Sequence, residues 1–327
     1  QASESGVKAP ERVFLIHSAW RRWRCGVVQG LAGPVLVLLK MAQWLAPFFT
    51  YHFFTGEPTD SIAFAVLAST AVFLLATVLE FAAAWAGKWL IAGRLKPGSY
   101  PLWGFVYFRW WLADRLVEAA PTYMIAGSSL YVLWLRALGA RIGREVMVGS
   151  LTLRVPELLQ IADGASIGNA VNFENACVRG GMLHLGHIEI GRDASVGSFS
   201  VLEGDVALGD GAHLQGQTAL RTGERVPAGR IWAGSPAHDV GSDDPSVRPP
   251  RPAVTRGRLT LESLCFVVGA LAVATAFFLP VFPAFMLIDW LDVEAIAVRP
   301  LQEAGTITDV QAFALRLLKF FALALPA

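Results

Sequence analysis

The sequence has few charged residues and little cysteine. Only 16% of its 327 residues are Asp, Glu, Lys or Arg, whereas soluble domains average about 25%. Basic and acidic residues nearly balance, at 27 and 26, so the chain lacks the strongly basic face that binds nucleic acid. The three cysteines, Cys25, Cys177 and Cys265, form no CxxC pair. Their spacing predicts neither a metal cluster nor a disulfide framework, and it fits a reducing compartment.

Apolar residues take the place of the missing charge. They make up 54% of the chain, and the mean hydropathy is +0.48. This value is too high for an ordinary cytosolic enzyme and too low for a chain made only of membrane helices. The composition therefore predicts membrane spans combined with a soluble body.

Four apolar stretches have the composition of membrane spans, at residues 26–54, 61–87, 259–288 and 310–327. A helix needs about 20 apolar residues to cross the bilayer core, and the second stretch carries Glu80 as its one charge. The first is weaker because Lys40 lies near its middle and two prolines interrupt it. A kinked or interfacial arm is its alternative. The fourth stops in mid-membrane, so we expect the sequence to be part of a longer protein.

Basic residues flank the first pair of stretches, and the loop between the pair is acidic. The loop has Glu57 and Asp60 but no Lys or Arg. The flanks hold Arg21, Arg22, Arg24, Lys88, Arg94 and Lys96. Because basic flanks stay on the cytoplasmic side, we expect the soluble body after this pair to be cytoplasmic.

The sequence divides into six segments. They are a linker (1–24), a transmembrane helix pair (25–96), interfacial helices (97–138), a β-helix domain (139–240), a second linker (241–258) and a second transmembrane pair (259–327). The segment 97–138 is aromatic and has apolar residues at helical spacing, which favours helices lying on the inner leaflet. A soluble helical collar on the β-helix is the alternative.

The β-helix prediction comes from a six-residue repeat. Large apolar residues recur at every sixth position, with one position missing between the two runs: Ile161, Ile167, Phe173; and Ile190, Val196, Leu202, Leu208, Leu214, Leu220, Val226, Trp232. A period of six is typical of the hexapeptide parallel β-helix, in which stacked coils bury a continuous core. Residues 142–237 would form about five coils of about 18 residues each. A β-sandwich with coincidental spacing is the alternative.

Smaller residues complete each repeat. Glycine often follows the apolar residue, which favours a tight corner, and the fourth residue after it is mostly small, Cys177 among them. Cys177 is therefore expected to pack inside a coil. The missing position indicates a shortened corner or a displaced loop around residues 179–182.

Several strings together resemble one family. They are KWLIAGRLKPG at 88–98, YPLWG at 100–104, FRWW at 108–111, LGARIG at 138–143 and WAGSPA at 232–237. The chain resembles the membrane-embedded C-terminal domain of nonribosomal peptide synthetases of the ε-poly-lysine synthetase type. The resemblance covers residues from about 20 to 327 and implies a mixed fold, with left-handed hexapeptide β-helices inserted between transmembrane helices.

This resemblance also implies a function. In such bacterial proteins, β-helix domains at the cytoplasmic membrane act like condensation domains and join aminoacyl groups by amide bonds. The acyl donor is a thioester on the phosphopantetheine arm of a carrier domain. The implied partners are adenylation and carrier domains on the same natural polypeptide, a second β-helix copy and the lipid bilayer. No nucleic acid is expected, and no tightly bound cofactor.

Amide formation needs a base for the amine proton, and histidine is the usual choice. His184 and His187 lie at the irregular corner of the repeat and are the candidate catalytic residues. Alternation places His184 outward between two leucines. The alternative is that both histidines are ordinary solvent-facing polar residues on a face of the β-helix. Together with His213, these histidines do not have the spacing of a zinc site, so we expect no metal.

The other candidate residues lie on either side of that corner. Glu174 and Asn175 are placed to bind a substrate ammonium or amide, or they are merely outward polar corners. Gly234 and Ser235 close the last coil, where relatives line the pantetheine channel; a simple exit turn is the alternative. The resemblance also implies a Thr-His pair in a catalytic copy, and Ala176 stands where that histidine is expected.

Two rival functions therefore stay open beside catalysis. The chain is a non-catalytic β-helix that docks beside an active copy as part of a pseudo-trimer, or it is a free-standing membrane O- or N-acyltransferase. An adenylation and carrier region before residue 1 would exclude the second rival.

Overall fold

The computed structural model describes residues 18–55, 60–242 and 256–283. The contacts of these residues separate two compact units: the described residues within 1–36 and 83–266 form one, and those within 37–82 and 267–327 form the other. The fourth apolar stretch, at 310–327, lies outside the described residues.

Three described helices are long and apolar enough to cross a membrane, over Ala19–Phe53, Ile62–Ala92 and Thr260–Pro283. Helix α1 is Ala19–Phe53 and runs through Lys40 as a single helix. Residues 19–24, which we assigned to a linker, are its first turns. Helix α2 is Ile62–Gly87, continued by a π-helical turn at Lys88–Ala92, and α5 is Arg256–Phe278. Their many outward apolar side chains suit a lipid environment.

Within the second unit, apolar and polar contacts join the spans. The rings of Phe73 and Phe278 stack with their centroids 4.4 Å apart. Gln43 Nε2 donates a hydrogen bond to Thr77 Oγ1 over 2.7 Å. A polar pair of this kind is retained between apolar helices because neither group has water as a partner there.

The soluble body is a parallel β-helix, as the repeat predicts. The strands of successive coils are β2 Arg141–Ile142, β3 Met147–Val148 and β4 Leu151–Leu153; β5 Leu159–Ile161, β6 Ser166–Ile167 and β7 Val171–Glu174; β10 Ile188–Ile190, β11 Ser195–Val196 and β12 Val201–Glu203; β13 Val206–Leu208, β14 His213–Leu214 and β15 Ala219–Leu220; and β16 Arg225–Val226 with β17 Arg230–Ala233. They form three parallel ladders. β18, His238–Ser242, closes the last coil antiparallel to β17. The handedness of the coil stays a prediction.

Register confirms the repeat. Ile190 pairs with Leu208 and Leu208 pairs with Val226, so inward residues of successive coils stack directly on one another. The predicted inward residues from Ile161 to Val226 are buried, and Trp232 is partly buried. Glycine after the apolar residue is needed for close stacking: a Cβ on Gly191 would lie 2.6 Å from the main-chain nitrogen of Asp210.

The irregular corner is a displaced hairpin. Ile161 pairs with Ile190 in the next coil. In a regular repeat the partner of Ile161 would come earlier in the sequence than Ile190. This coil is therefore longer than the coils that follow it. The extra residues form β8 Ala176–Arg179 and β9 Met182–Leu185, which pair antiparallel. β1, Gly98–Pro101, joins the outer edge of β9 to complete a three-stranded sheet.

Two helices pack on the β-helix, as the collar alternative describes. Helix α4, Ser129–Ala137, places Tyr131, Val132 and Leu135 in the main core. Helix α3, Phe105–Ala119, contributes Tyr107 and Trp110 to a smaller core under the hairpin. Short 3₁₀ turns lie at Thr122–Met124 and Pro156–Leu158. That these helices also touch the inner leaflet stays a prediction.

Candidate functional site

His184 lies on the outward face of the three-stranded sheet. Strand β9 alternates, with Leu183 and Leu185 buried against Val155 and Leu158 and with His184 on the opposite face. The register pairs His184 with Ser99 on β1 and with Cys177 on β8. Directly paired residues in antiparallel strands share a face, so the sheet aligns a hydroxyl, an imidazole and a thiol.

Both imidazole nitrogens of His184 have oxygen partners. Ser99 Oγ lies 2.7 Å from Nδ1, and the Arg179 carbonyl oxygen lies 3.3 Å from Nε2. A carbonyl only accepts hydrogen bonds, so the tautomer that satisfies both contacts carries its proton on Nε2. Nδ1 is then the acceptor for the Ser99 hydroxyl proton. This is the arrangement of a hydroxyl, a base and a group that orients the base.

Arg179 is itself held in place. Its Nη2 lies 2.8 Å from Glu203 Oε1, and Glu203 Oε2 accepts hydrogen bonds from the Thr222 main-chain nitrogen (2.9 Å) and hydroxyl (2.6 Å). Burial alone would raise the pKa of Glu203, but the hydrogen bonds from Thr222 and Arg179 outweigh it and lower the pKa. The ionised carboxylate therefore ties the hairpin tip to the next coils.

Cys177 was expected inside a coil, and the structure corrects this. The residue belongs to the inserted hairpin, where the six-residue frame no longer applies, and it is half-buried beside His184. Burial raises the pKa of its thiol, against a smaller lowering by Arg179. A thiol whose pKa is raised is poorly suited to act as a nucleophile.

The second candidate histidine is placed differently. His187 is exposed, and its main-chain nitrogen donates to Asp205 Oδ1 over 2.9 Å. Within the described ranges, no hydroxyl or carboxylate meets its ring as Ser99 meets the ring of His184. Among the described residues, no three His, Cys, Asp or Glu side chains are grouped to hold a metal ion.

Asn175 and Glu174 have different environments. Asn175 is buried, its Oδ1 accepts from the Val155 main-chain nitrogen (3.0 Å), and its Nδ2 donates to the Val155 carbonyl (2.6 Å). Both ends of this amide are used within the fold, so Asn175 is not free for the substrate contact we expected. Glu174 accepts a hydrogen bond from Asn172 Nδ2 over 2.9 Å. Its side chain is only half-buried, so it stays accessible from outside the coil.

Gly234 and Ser235 lie at the turn between β17 and β18. Gly234 has a φ of +91°, which favours glycine, and its carbonyl accepts from the Ala219 main-chain nitrogen over 3.1 Å. Ser235 is exposed. The turn therefore presents both main chain and a hydroxyl at the end of the stack.

Sequence reasoning missed a cavity of about 190 Å³ between α3, α4 and β4. Asp114 lies in its wall, with its side chain only 6% exposed, between Arg115 and Arg154. Burial raises the pKa of Asp114, although both arginines act to lower it. One sign of this site is present in the sequence: three charged residues, Asp114, Arg115 and Glu118, interrupt an apolar helix. Its partner Arg154 follows β4, in a distant part of the sequence.

Solved structures with some similarity are hexapeptide-repeat enzymes. An acetyltransferase of Vibrio cholerae O1, solved with acetyl coenzyme A, is 15% identical and matches 50% of this chain and 87% of its own, with a TM-score of 0.30. A serine acetyltransferase of Neisseria gonorrhoeae is 15% identical and matches 70% of this chain and 94% of its own, with a TM-score of 0.28. Similarities of this size carry no functional inference. No family model matches the chain.

Sequence similarity is far stronger to one curated protein. The chain is 44% identical over 280 residues to the delta-poly-L-ornithine synthetase of Acinetobacter baumannii. The match takes in 85% of this chain and spans 21% of the length of that synthetase. The predicted resemblance is thereby confirmed: the chain is similar to about a fifth of a synthetase of the poly-amino-acid type.

Proposed function

We propose that the chain is the membrane-anchored acyl-transfer section of a peptide synthetase, forming amide bonds from carrier-bound aminoacyl thioesters. The observation that carries this proposal is the 44% identity over 280 residues with a delta-poly-L-ornithine synthetase. The β-helix with its paired Ser99 and His184 supplies groups suited to that chemistry.

The reaction joins an amine to a thioester carbonyl. A C–N bond forms, the C–S bond breaks, and the thiolate leaves with the electron pair and takes up a proton. The attacking amine must lose a proton as it bonds. In our proposal this proton goes to Ser99 Oγ, while the Ser99 hydroxyl proton passes to Nδ1 of His184 across the 2.7 Å contact. The protonated His184 then returns a proton through Ser99 to the departing thiolate, which leaves both residues as they began.

Other residues would bind the two substrates. The acyl donor is the phosphopantetheine arm of a carrier domain, and the turn at Gly234 and Ser235 offers main chain and a hydroxyl for that arm. Glu174 offers a carboxylate for a substrate ammonium. Adenylation and carrier domains and a second β-helix copy would be partners on the natural polypeptide.

In our proposal this section lies in the bacterial cytoplasmic membrane, which is supported by three described helices long and apolar enough to cross a membrane. Basic residues in the first turns of α1 and after α2, together with the acidic loop between the two helices, favour a cytoplasmic β-helix. Labelling of single cysteines introduced at exposed positions from 140 to 240 tests this side. Reaction with an impermeant reagent from outside intact cells would refute it.

Replacement of the two histidines tests the catalytic role. In the full-length synthetase we expect His184→Gln to slow amide formation from a preloaded carrier by about 10²–10⁴-fold, the usual contribution of a general base. His187→Gln is the matched control and should keep the wild-type rate, because among the described residues it is the main chain of His187, and not its ring, that is hydrogen-bonded. Equal rates for wild type and His184→Gln would refute the catalytic role.

A second candidate function is a scaffold copy that docks beside an active β-helix. Ala176 favours it: the residue packs with Leu183 and Leu185, so the position where the family histidine is expected points into the small core. A scaffold predicts no effect of His184→Gln on the rate. It also predicts loss of activity when the full-length protein lacks residues 139–240.

A further inference from the structure

The cavity beside Asp114 belongs to the soluble body, and none of the residues that line it has been given a part in the proposed reaction so far. It lies between α3, α4 and β4 and has a volume of about 190 Å³. A space of this size holds several water molecules or a small ligand. That is small for a drug-sized site and suits an amino acid.

Charges of both signs meet in its wall. Arg154 Nη1 and Arg115 Nη2 each lie 2.9 Å from Asp114 Oδ2, and Arg115 Nη1 lies 2.7 Å from Glu118 Oε2. The order is therefore cation, anion, cation, anion. Asp114 is neutralised from both sides, so Arg154 and Glu118 are the cavity-lining charges that keep capacity for a ligand.

Both of these end residues are accessible. The side chain of Arg154 is 34% exposed and that of Glu118 is 56% exposed. Between them the cavity is lined by apolar side chains, including Val117, Leu135 and Leu151. A ligand that fits must pair with a guanidinium and a carboxylate at once and carry an aliphatic part.

We propose that this cavity binds a free α-amino acid as the zwitterion, with its carboxylate at Arg154 and its ammonium at Glu118. The methylene groups of its side chain lie along Val117 and Leu135. The role of the amino acid, as the amine that the proposed amide-forming reaction consumes, rests on the proposed function. Its binding does not rest on that function and can be measured without turnover.

Three ligands separate the two charge contacts. L-Ornithine carries both groups, 1,4-diaminobutane lacks the carboxylate, and 5-aminopentanoate lacks the α-ammonium. We expect equilibrium binding of L-ornithine to the 327-residue chain in detergent micelles, and at least tenfold weaker binding of the other two, since each of them loses one charge-assisted hydrogen bond. Equal binding of all three would overturn the proposal.

Variants locate the binding. Glu118→Gln should weaken L-ornithine binding at least tenfold, whereas Glu189→Gln, at an exposed glutamate on β10, should leave it within twofold. Val117→Phe fills the space without changing charge and should abolish binding, with a thermal melt to verify folding. Binding that survives both Glu118→Gln and Val117→Phe would overturn the proposal.

The two proposals fail separately. If L-ornithine does not bind while His184→Gln blocks amide formation, the cavity assignment is wrong and the catalytic one stands. If L-ornithine binds as described while His184→Gln has no effect, the cavity assignment stands and the catalytic one is wrong.

Discussion

Lys88 and Glu157 form a buried ion pair, with Lys88 Nζ 3.1 Å from Glu157 Oε2 and with side chains 3% and 9% exposed. Lys88 lies at the end of the second apolar helix, and Glu157 lies in the first coil of the β-helix. Lys88 Nζ also donates to the Gly93 carbonyl, and Glu157 Oε1 accepts from the Leu95 main-chain nitrogen. The pair therefore joins the chain leaving the membrane helix to the soluble body.

Removing one charge of this pair should be costly. Glu157→Gln leaves the Lys88 ammonium buried without its counterion, and breaking a buried pair in this way typically costs about 3–5 kcal/mol. Urea unfolding of the chain in micelles measures the change. The matched control is Asp239→Asn, which breaks an exposed pair with Arg230 and should leave the midpoint unchanged. Equal midpoints for Glu157→Gln and wild type would contradict this.

Asn175 should matter for folding rather than for turnover. Asn175→Ala removes both hydrogen bonds to buried Val155, and each buried group left without a partner costs about 1–3 kcal/mol. We expect lower stability but an unchanged rate per folded molecule. Glu174→Gln, one residue earlier and half-buried, should leave the stability unchanged. A lower rate in Asn175→Ala protein that is fully folded would restore its role as a substrate contact.

The pKa of Glu203 gives a pH dependence with a defined sign. Its folded-state pKa is lowered from the ordinary value of 4.5. The stability that this carboxylate contributes is therefore fully present above about pH 4.5 and is lost as the pH falls through the lowered value. The difference in thermal stability between wild type and Glu203→Gln, measured by thermal melts from pH 7 downward, should shrink below pH 4.5. A difference that grows on acidification would give the opposite sign.

The apolar repeat should carry most of the stability of the body. Leu202 is fully buried on β12, and Leu202→Ala should cost about 2–5 kcal/mol through lost burial and the cavity it leaves. Leu133→Ala, on the exposed side of α4, is the control and should change little. Chemical denaturation of both variants measures the difference. If both variants lose a similarly small amount of stability, the main core does not lie where Leu202 lies.

The period of six was sufficient to predict the coils, because each inward position from Ile161 to Val226 must be apolar for the stack to close. The three described membrane-span candidates could also be predicted from the sequence, because lipid requires long apolar helices. The hairpin Ala176–Leu185 was recognisable only as an irregularity. Its two strands pair with each other, and β9 also pairs with β1. Because β1 lies before both collar helices in the sequence, no local pattern encodes that partner.

The candidate site was less accessible to sequence reasoning for the same reason. His184 could be placed outward by alternation, but its contact with Ser99 depends on a pairing between distant segments. From the sequence Asn175 resembled an outward polar corner. Its hydrogen-bond partner is the main chain of Val155, and a main-chain partner leaves no pattern in the sequence. Asp114 and Arg154 are likewise joined only in the folded chain.

The inserted hairpin changes what natural variation can alter in this protein. Coil residues must keep their apolar frame, because the next coil rests on them. Residues 176–185 leave the ladder and return to it with Ile188 in register, so the coils tolerate changes in their outward face. A duplicated copy of such a body can thus gain or lose an outward polar group on this hairpin, His184 among them, and still fold.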